Sequence, residues 1–375
     1  MFFKVTFKYS FIVLIVSIIL RVIIINQVTY DDQNIKEFEI QKESFSKNVL
    51  DWWNKGTFYL YKNNYHIFNV LSKIELDKGN LIEVKMDSRS KLPASTVVNV
   101  FLHGFPTSSF DYSKLWSQFL FSKEHLAKEL ANGAIFLLAF DYIGYGFSDK
   151  PFNYTYSIFD NADLVENLLL NFNILNINLI AHDMSDTVAQ ELLWRHNLNK
   201  LNFKINNVIL TNGGIFYDSL HFVLSQKLLR IEIINRIFAK YLHNKFLFQL
   251  SFKQIFGKSY RSNPQINDDM ADFFSIISYK YGNLVLPETI KYQDERQLYD
   301  KVWLNALNNT VLETMLIFGR DDTINPDELF SSNMGRFLPH VKFIKLSEEI
   351  GHYPQWEDSI TVFHIMFDFL YRKLQ

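Results

Sequence analysis

A strand-like apolar run, Ile177 to Ala181, leads into a helix-like one, Val188 to His196, through the segment Leu179-Ile-Ala-His-Asp-Met-Ser-Asp-Thr187. Ala181 and Ser185 stand two positions on either side of Asp183. In a sharp strand-to-helix elbow those are the positions where bulk would clash, so Asp183 takes the apex. Centring the elbow on Ser185 would put Asp183 and Thr187 at the tight positions, a poorer fit. A carboxylate at an apex of this kind can act as a nucleophile toward alkyl carbon, as in epoxide or carbon–halogen cleavage, in place of ordinary ester chemistry. The competing structural role is a helix N-cap, for which aspartate is well suited.

An elbow needs a sheet to carry it. Val97 to Leu102, Ala134 to Phe140, Ile177 to Ala181 and Val208 to Leu210 are short apolar runs, most of them separated by helical stretches. Met315 to Phe318 and Val341 to Leu346 resume the pattern, and Ile360 to Leu374 closes it as a helix. Continuous apolar strands alternating with helices predict a mostly parallel, doubly wound α/β sheet covered on both faces. Phe58 to Tyr61 and His66 to Leu71 predict an opening hairpin that turns at Lys62-Asn63-Asn64. From about Gly214 to Leu307 the strand rhythm stops and Phe-, Leu-, Ile- and Tyr-rich helical spacing takes over. An all-helical insertion there predicts a cap over the C-terminal strand edge, where folds of this type bind ligands.

The N-terminus differs in character. Tyr9 to Val28 is apolar apart from a few residues, Arg21 among them, and is about long enough to span a bilayer. No small-x-small cleavage site follows, so an uncleaved signal anchor is expected, with a buried β-branched helix as the alternative. Lys4 and Lys8 precede the run while Asp31 and Asp32 follow it, which places the N-terminus in the cytosol and the remainder in a lumen. The domain plan is then an anchor over 1–28, a juxtamembrane linker or helix over 29–55, an α/β core over 56–213 and 311–375, and a helical cap over 214–310.

Composition removes other classes. Hydrophobic residues make up 48% of the 375, aromatic residues 16%, so a large core is available and global disorder is excluded. A net charge of −2 gives no electrostatic case for nucleic acid. The chain has no cysteine, which excludes disulfides, thiolate metal sites and a cysteine nucleophile. The ten histidines do not fall into ligand spacing. No metal and no cofactor is expected. Asn153-Tyr154-Thr155 and Asn308-Asn309-Thr310 match the glycosylation sequon.

Four segments complete the site. His103-Gly-Phe-Pro106 directly follows a predicted strand, where the N–H groups of Phe105 and Met184 could form an oxyanion hole. Asp141 to Pro151 is a Gly-rich loop without the third glycine of a dinucleotide fingerprint, and Asp141 reads as a turn former. Gly319-Arg-Asp-Asp322 ends another strand with two adjacent carboxylates, and Gly351-His-Tyr-Pro354 places His352 after the last strand. Asp183, then Asp321 or Asp322, then His352 is the nucleophile–acid–base order of the α/β-hydrolases.

These blocks, together with Gly144-Tyr-Gly-Phe-Ser-Asp-Lys-Pro151, Asn212-Gly-Gly-Ile-Phe216 and Tyr281-Gly-Asn-Leu-Val285, resemble the epoxide-hydrolase-like branch of the α/β-hydrolases from about Gly56 to the C-terminus. The resemblance implies that Asp183 is the nucleophile, Asp322 the acid partner and His352 the general base. Asp322 is preferred to Asp321 because it takes the fourth place of a Gly-x-x-Asp pattern. Met184 and Phe105 stand where dehalogenase-like relatives carry Trp and Asn, which argues against halide release. Relatives that open epoxides also use cap tyrosines; Tyr279, Tyr281, Tyr292 and Tyr299 are available, and each reads first as a core aromatic. The resemblance further implies an endoplasmic reticulum membrane protein acting on a lipophilic small molecule. The alternatives are a catalytically silent, membrane-tethered binding or scaffold protein, or a lipid esterase or acyltransferase acting through Ser185.

Overall fold

A computed structural model describes residues 45–372 apart from Ser88 and Asn132. The expected anchor (1–28) and the first part of the expected linker (29–44) lie outside the described residues. Among the described residues no helix is long and apolar enough to cross a membrane.

The last part of the expected linker or helix packs on the sheet-bearing body. Helix α1 (Lys47–Lys55) starts at Ser46, whose hydroxyl accepts the N–H of Val49 at 3.3 Å. It buries Val49 and Trp52, and the Trp52 indole N–H donates to Ser109 Oγ at 3.2 Å. Burying one large side chain of this kind stabilises by roughly 1.5–3 kcal/mol, enough to hold a short helix against the core.

Strands β1 (Thr57–Tyr61) and β2 (Tyr65–Asp77) form the expected hairpin, with Lys62 and Asn63 at φ 50° and 56° in its turn. Beyond Leu71, where the apolar run ends, β2 continues and pairs with β3 (Asn80–Lys85), an edge strand that apolar runs alone do not reveal. The sequence there alternates (Lys73, Ile74, Glu75, Leu76, Asp77), as suits a ribbon with one wet face. Lys78 and Gly79, at φ 49° and 80°, make its two-residue turn.

The parallel part of the sheet follows: β4 (Val97–Leu102), α2 (Ser113–Phe121), α3 (Lys123–Ala131), β5 (Ile135–Phe140), α4 (Ile158–Asn171), β6 (Asn176–His182), α5 (Met184–Asn197) and β7 (Lys204–Thr211). The cap comes next, with α6 (Leu224–Leu229), α7 (Asn235–Tyr241), α8 (Lys245–Phe252), α9 (Lys258–Ser262), α10 (Ile266–Ser278), α11 (Gly282–Thr289) and α12 (Tyr292–Asn308). The chain then returns through β8 (Glu313–Phe318), α13 (Asp327–Phe337), β9 (Lys342–Lys345), α14 (Pro354–Glu357) and α15 (Ser359–Phe367).

Strand order is β1-β2-β5-β4-β6-β7-β8-β9, with β3 on β2. Pairing is parallel from β5 to β9 and antiparallel at the β1–β2–β3 edge. Alternate side chains feed the two faces: Leu179 and Ala181 of β6 enter one apolar layer and Ile180 the other. The next strand and the one after it lie on opposite sides of β4, so the direction of winding reverses there. The crevice at such a switch point opens beyond the C-terminal strand ends. The His103–Pro106 loop and the Asp183 elbow leave β4 and β6 there, side by side.

Candidate active site

Asp183 sits between β6 and α5 at φ 53° and ψ −110°, a conformation that L-residues rarely adopt. Strain of this kind costs on the order of 1–3 kcal/mol and persists only where its surroundings enforce it. The Asp183 N–H donates to the Thr211 carbonyl at 3.2 Å, and the Asp186 N–H to the Asp183 carbonyl at 3.2 Å. Ala181 and Ser185 are fully buried, as the crowding of the elbow requires. The Ser185 hydroxyl donates to the His103 carbonyl, and the Tyr142 hydroxyl lies 3.0 Å from it. Ser185 therefore ties the elbow to the neighbouring loop.

That loop reaches Asp183 directly. Phe105 N–H donates to Asp183 Oδ2 at 2.8 Å, and the Phe105–Pro106 peptide is cis. Gly104 allows the approach, since a Cβ there would lie 2.8 Å from the Asp183 Cβ. Met184 opens α5, so its N–H is among those with no acceptor inside the helix. Its sulfur accepts the Tyr145 hydroxyl at 3.3 Å.

The other carboxylate oxygen, Asp183 Oδ1, faces His352 Nε2 at 3.5 Å. His352 Nδ1 is 2.8 Å from Asp322 Oδ2. Asp322 is further fixed by Asn212 Nδ2 and Asn325 Nδ2, each 2.9 Å from Oδ2, and by the Ile324 N–H, 2.7 Å from Oδ1. Asp321 turns to the cap, where it accepts the Lys258 N–H at 2.8 Å and pairs with Arg261 at 3.4 Å. Of the two adjacent carboxylates, Asp322 is the one in contact with His352.

Two contributors lie outside the sequence-based reading of the site. Asn212, at the end of β7, donates to Asp322 and also bridges to Gly319, whose N–H it accepts at 2.9 Å. Its only sequence signal is a polar residue between an apolar strand and a Gly-Gly pair. Arg296 of the cap is 2% exposed; its Nε donates to Thr187 Oγ1 at 2.8 Å and one terminal nitrogen to the Asp183 carbonyl at 3.4 Å. Nothing in its helical context marks it as buried. Among the four cap tyrosines, Tyr292 packs its ring 5.8 Å from Phe105, and its hydroxyl accepts from Gln293 at 2.7 Å. Tyr279 packs with Phe45 and Phe147, and Tyr299 with Phe159 and Trp303.

The charges are coupled. Burial opposes ionisation of His352, but the Asp322 and Asp183 carboxylates outweigh it and lift His352 to about 10. Burial likewise opposes ionisation of Asp183 and Asp322, yet contacts with His352 hold both below the usual carboxylate range. Both carboxylates thus favour the protonated form of the imidazole that lies between them. Burial pushes His103 down to about 4 and His182 down to about 3, so both are neutral. Because His352 is raised above its unfolded value of 6.5, its contribution to stability is complete below that pH and is lost as pH rises toward about 10. Thermal unfolding across about pH 6 to 10 should therefore show an alkaline decline in wild type that is shallower in His352→Gln. Parallel declines would contradict the ion-paired state.

Above the site, Phe105 and Ile324 meet Leu229, Leu242, Phe248 and Leu286 of the cap around an apolar cavity of about 50 Å³.

Sheet order, elbow and capped cavity define an α/β-hydrolase, and the sequence comparison agrees: the alpha/beta hydrolase fold family matches residues 100–359, and the chain belongs to it. It is 34% identical over 334 residues to the mesoderm-specific transcript protein of Mus musculus, covering 88% of this chain and 90% of that protein. Among solved structures it is similar to the haloalkane dehalogenase DatA from Agrobacterium tumefaciens C58, with TM-score 0.61, 18% identity and coverage of 85% of this chain and 97% of that one. The esterase EaEST from Exiguobacterium antarcticum is also similar, with TM-score 0.57, 17% identity and coverage of 84% and 99%. One neighbour is a dehalogenase and the other an esterase, so the shared fold alone does not choose the chemistry.

Proposed function

We propose that this hydrolase uses Asp183 as nucleophile to open a lipophilic epoxide, through an alkyl-enzyme ester that water then hydrolyses. The observation that carries the reading is the orientation of the Asp183 carboxylate, with Oδ2 on the Phe105 N–H and Oδ1 turned to His352. Oδ1 attacks an oxirane carbon; the C–O bond breaks, and the oxygen leaves as an alkoxide that takes a proton from water, releasing hydroxide. Ester formation removes the charge of Asp183, and with it one of the two carboxylates that hold the proton on His352. The imidazole then gives that proton to the hydroxide more readily and, oriented by Asp322, takes one from the attacking water. The hydroxide adds to Cγ of Asp183, charge collects on Oδ2, and the Phe105 and Met184 N–H groups are there to stabilise it. Collapse releases the diol and restores the carboxylate.

The apolar cavity suits a lipophilic substrate. Met184 and Phe105, in place of the Trp and Asn of dehalogenase-like relatives, favour epoxide over halide. An ester reading through Ser185 is disfavoured because that hydroxyl is buried and donates to the His103 carbonyl. A panel of lipophilic epoxides, alkyl halides and esters tests the proposal, with turnover expected on epoxides. Ser185→Ala should keep that turnover within about tenfold and cost roughly 1 kcal/mol of stability from its lost hydrogen bond. Loss of several orders of magnitude would instead assign the chemistry to Ser185.

The reading includes a tether: residues 1–28 anchor the chain in the endoplasmic reticulum membrane, with the catalytic domain in the lumen. Asn153 and Asn308 are exposed, so both sequons are open to glycosylation. Endo H sensitivity that is lost when both asparagines are replaced would support lumenal topology.

A further inference from the structure

We propose that cap helices α6–α8 form a second membrane contact, docking on an anionic bilayer surface so that the cavity opens toward the lipid. This rests on the tether reading above.

The segment 224–253 is unusual in both apolarity and charge. Leu224, Ile233, Phe246 and Leu250 are 70%, 79%, 70% and 58% exposed, and Ile231 and Leu247 are exposed as well. Scattered exposed leucines need no explanation; this many large apolar side chains within three consecutive short helices and their links do. The same segment carries Lys227, Arg230, Arg236, Lys240, Lys245 and Lys253 against one acidic residue, Glu232, in a chain whose net charge is −2. Exposed Leu, Ile and Phe interleaved with Lys and Arg are the signature of helices that lie in a membrane interface and are drawn to anionic headgroups.

Position supports the occupant. Ser225 and Leu229 of α6, Leu242 just after α7, and Phe248 and Ser251 of α8 all line the cavity that also touches Phe105 and Ile324. The exposed apolar residues are therefore the outward neighbours of the residues that line the substrate space. Only residues 29–44 separate the apolar run ending at Val28 from the described chain, which begins at Phe45, so an anchored protein stays beside the bilayer. A second copy that met this face with its own would set like charge against like.

The chain has no cysteine, so single-cysteine variants report individual positions. The full chain carrying Ile233→Cys, Phe246→Cys or Leu250→Cys, each labelled with an environment-sensitive fluorophore, is reconstituted with phosphatidylcholine vesicles, with and without phosphatidylserine, containing lipid-borne quencher. Val97→Cys, exposed at the N-terminal end of β4, is the reference. The proposal expects blue-shifted, quenched emission at the three cap positions, stronger with phosphatidylserine, and none at the reference. A basic side chain near an anionic surface contributes about a fivefold preference, so Lys227→Glu, Arg236→Glu and Lys245→Glu together should lower the docked-to-undocked ratio by roughly 100-fold or more. Co-flotation with vesicles while all three cap labels stay as wet as the reference overturns docking and leaves the tether. Failure to co-float overturns both. A lipid-independent shift that grows with protein concentration overturns docking in favour of self-association.

Discussion

Replacing Asp183 by Asn should lower turnover by on the order of 10⁴- to 10⁶-fold, the scale seen when a covalent nucleophile is removed. The fold should survive, because the amide oxygen of Asn can still accept the Phe105 N–H that Asp183 Oδ2 accepts at 2.8 Å. A second readout separates loss of the nucleophile from a structural defect. With the charge at position 183 gone, His352 keeps only Asp322 as a counter-carboxylate, so its titration should fall below the value of about 10 that it has between two carboxylates. An inert variant whose His352 titration is unmoved would mean that Asp183 does not face His352 as described.

Asp322→Asn is expected to lower the steady-state rate by about 10⁴-fold, the loss typical when a histidine's orienting carboxylate becomes an amide and the imidazole tautomer is wrong. The effect should be confined to the second half-reaction. Alkylation needs only Asp183, so the variant should give a stoichiometric burst followed by near-silence, whereas the Asp183 variant gives no burst. Asp322 also receives Asn212, Asn325 and the Ile324 N–H, so an amide here faces donors it cannot all accept; a stability cost of roughly 1–3 kcal/mol should accompany the kinetic one. A uniform loss of both phases would point to general disruption of the site.

The parts of this architecture legible in the sequence are those whose signal is local. The apolar strands β4 to β8 are buried on both faces, and continuous apolar runs mark such strands. The elbow was legible because crowding at Ala181 and Ser185 leaves only small residues. Strand β3 escaped because it is short and polar at both ends, with Glu83 breaking its apolar residues, and six such residues resemble loop as much as sheet. The choice between Asp321 and Asp322 turns on which way adjacent side chains point; the backbone sends one to Lys258 and Arg261 and the other to His352. The roles of Asn212 and Arg296 were not legible for a related reason. Each acts on residues distant in sequence, Asn212 on Asp322 and Arg296 on Asp183 and Thr187, and no local pattern encodes such a contact. Helix α1 lies in the segment expected as a linker or helix; its docking on the body was not legible because a short charged segment shows its apolar side only when Trp52 has a partner.

The central claim is that a covalent ester forms on Asp183, and trapping it is the most direct test. His352→Gln removes the base for hydrolysis while leaving the nucleophile, so incubation with a reactive lipophilic epoxide should yield one alkyl adduct per chain, located by peptide mass on the Asp183 peptide. An adduct on Ser185, or none while wild type turns the same epoxide over, would contradict the account.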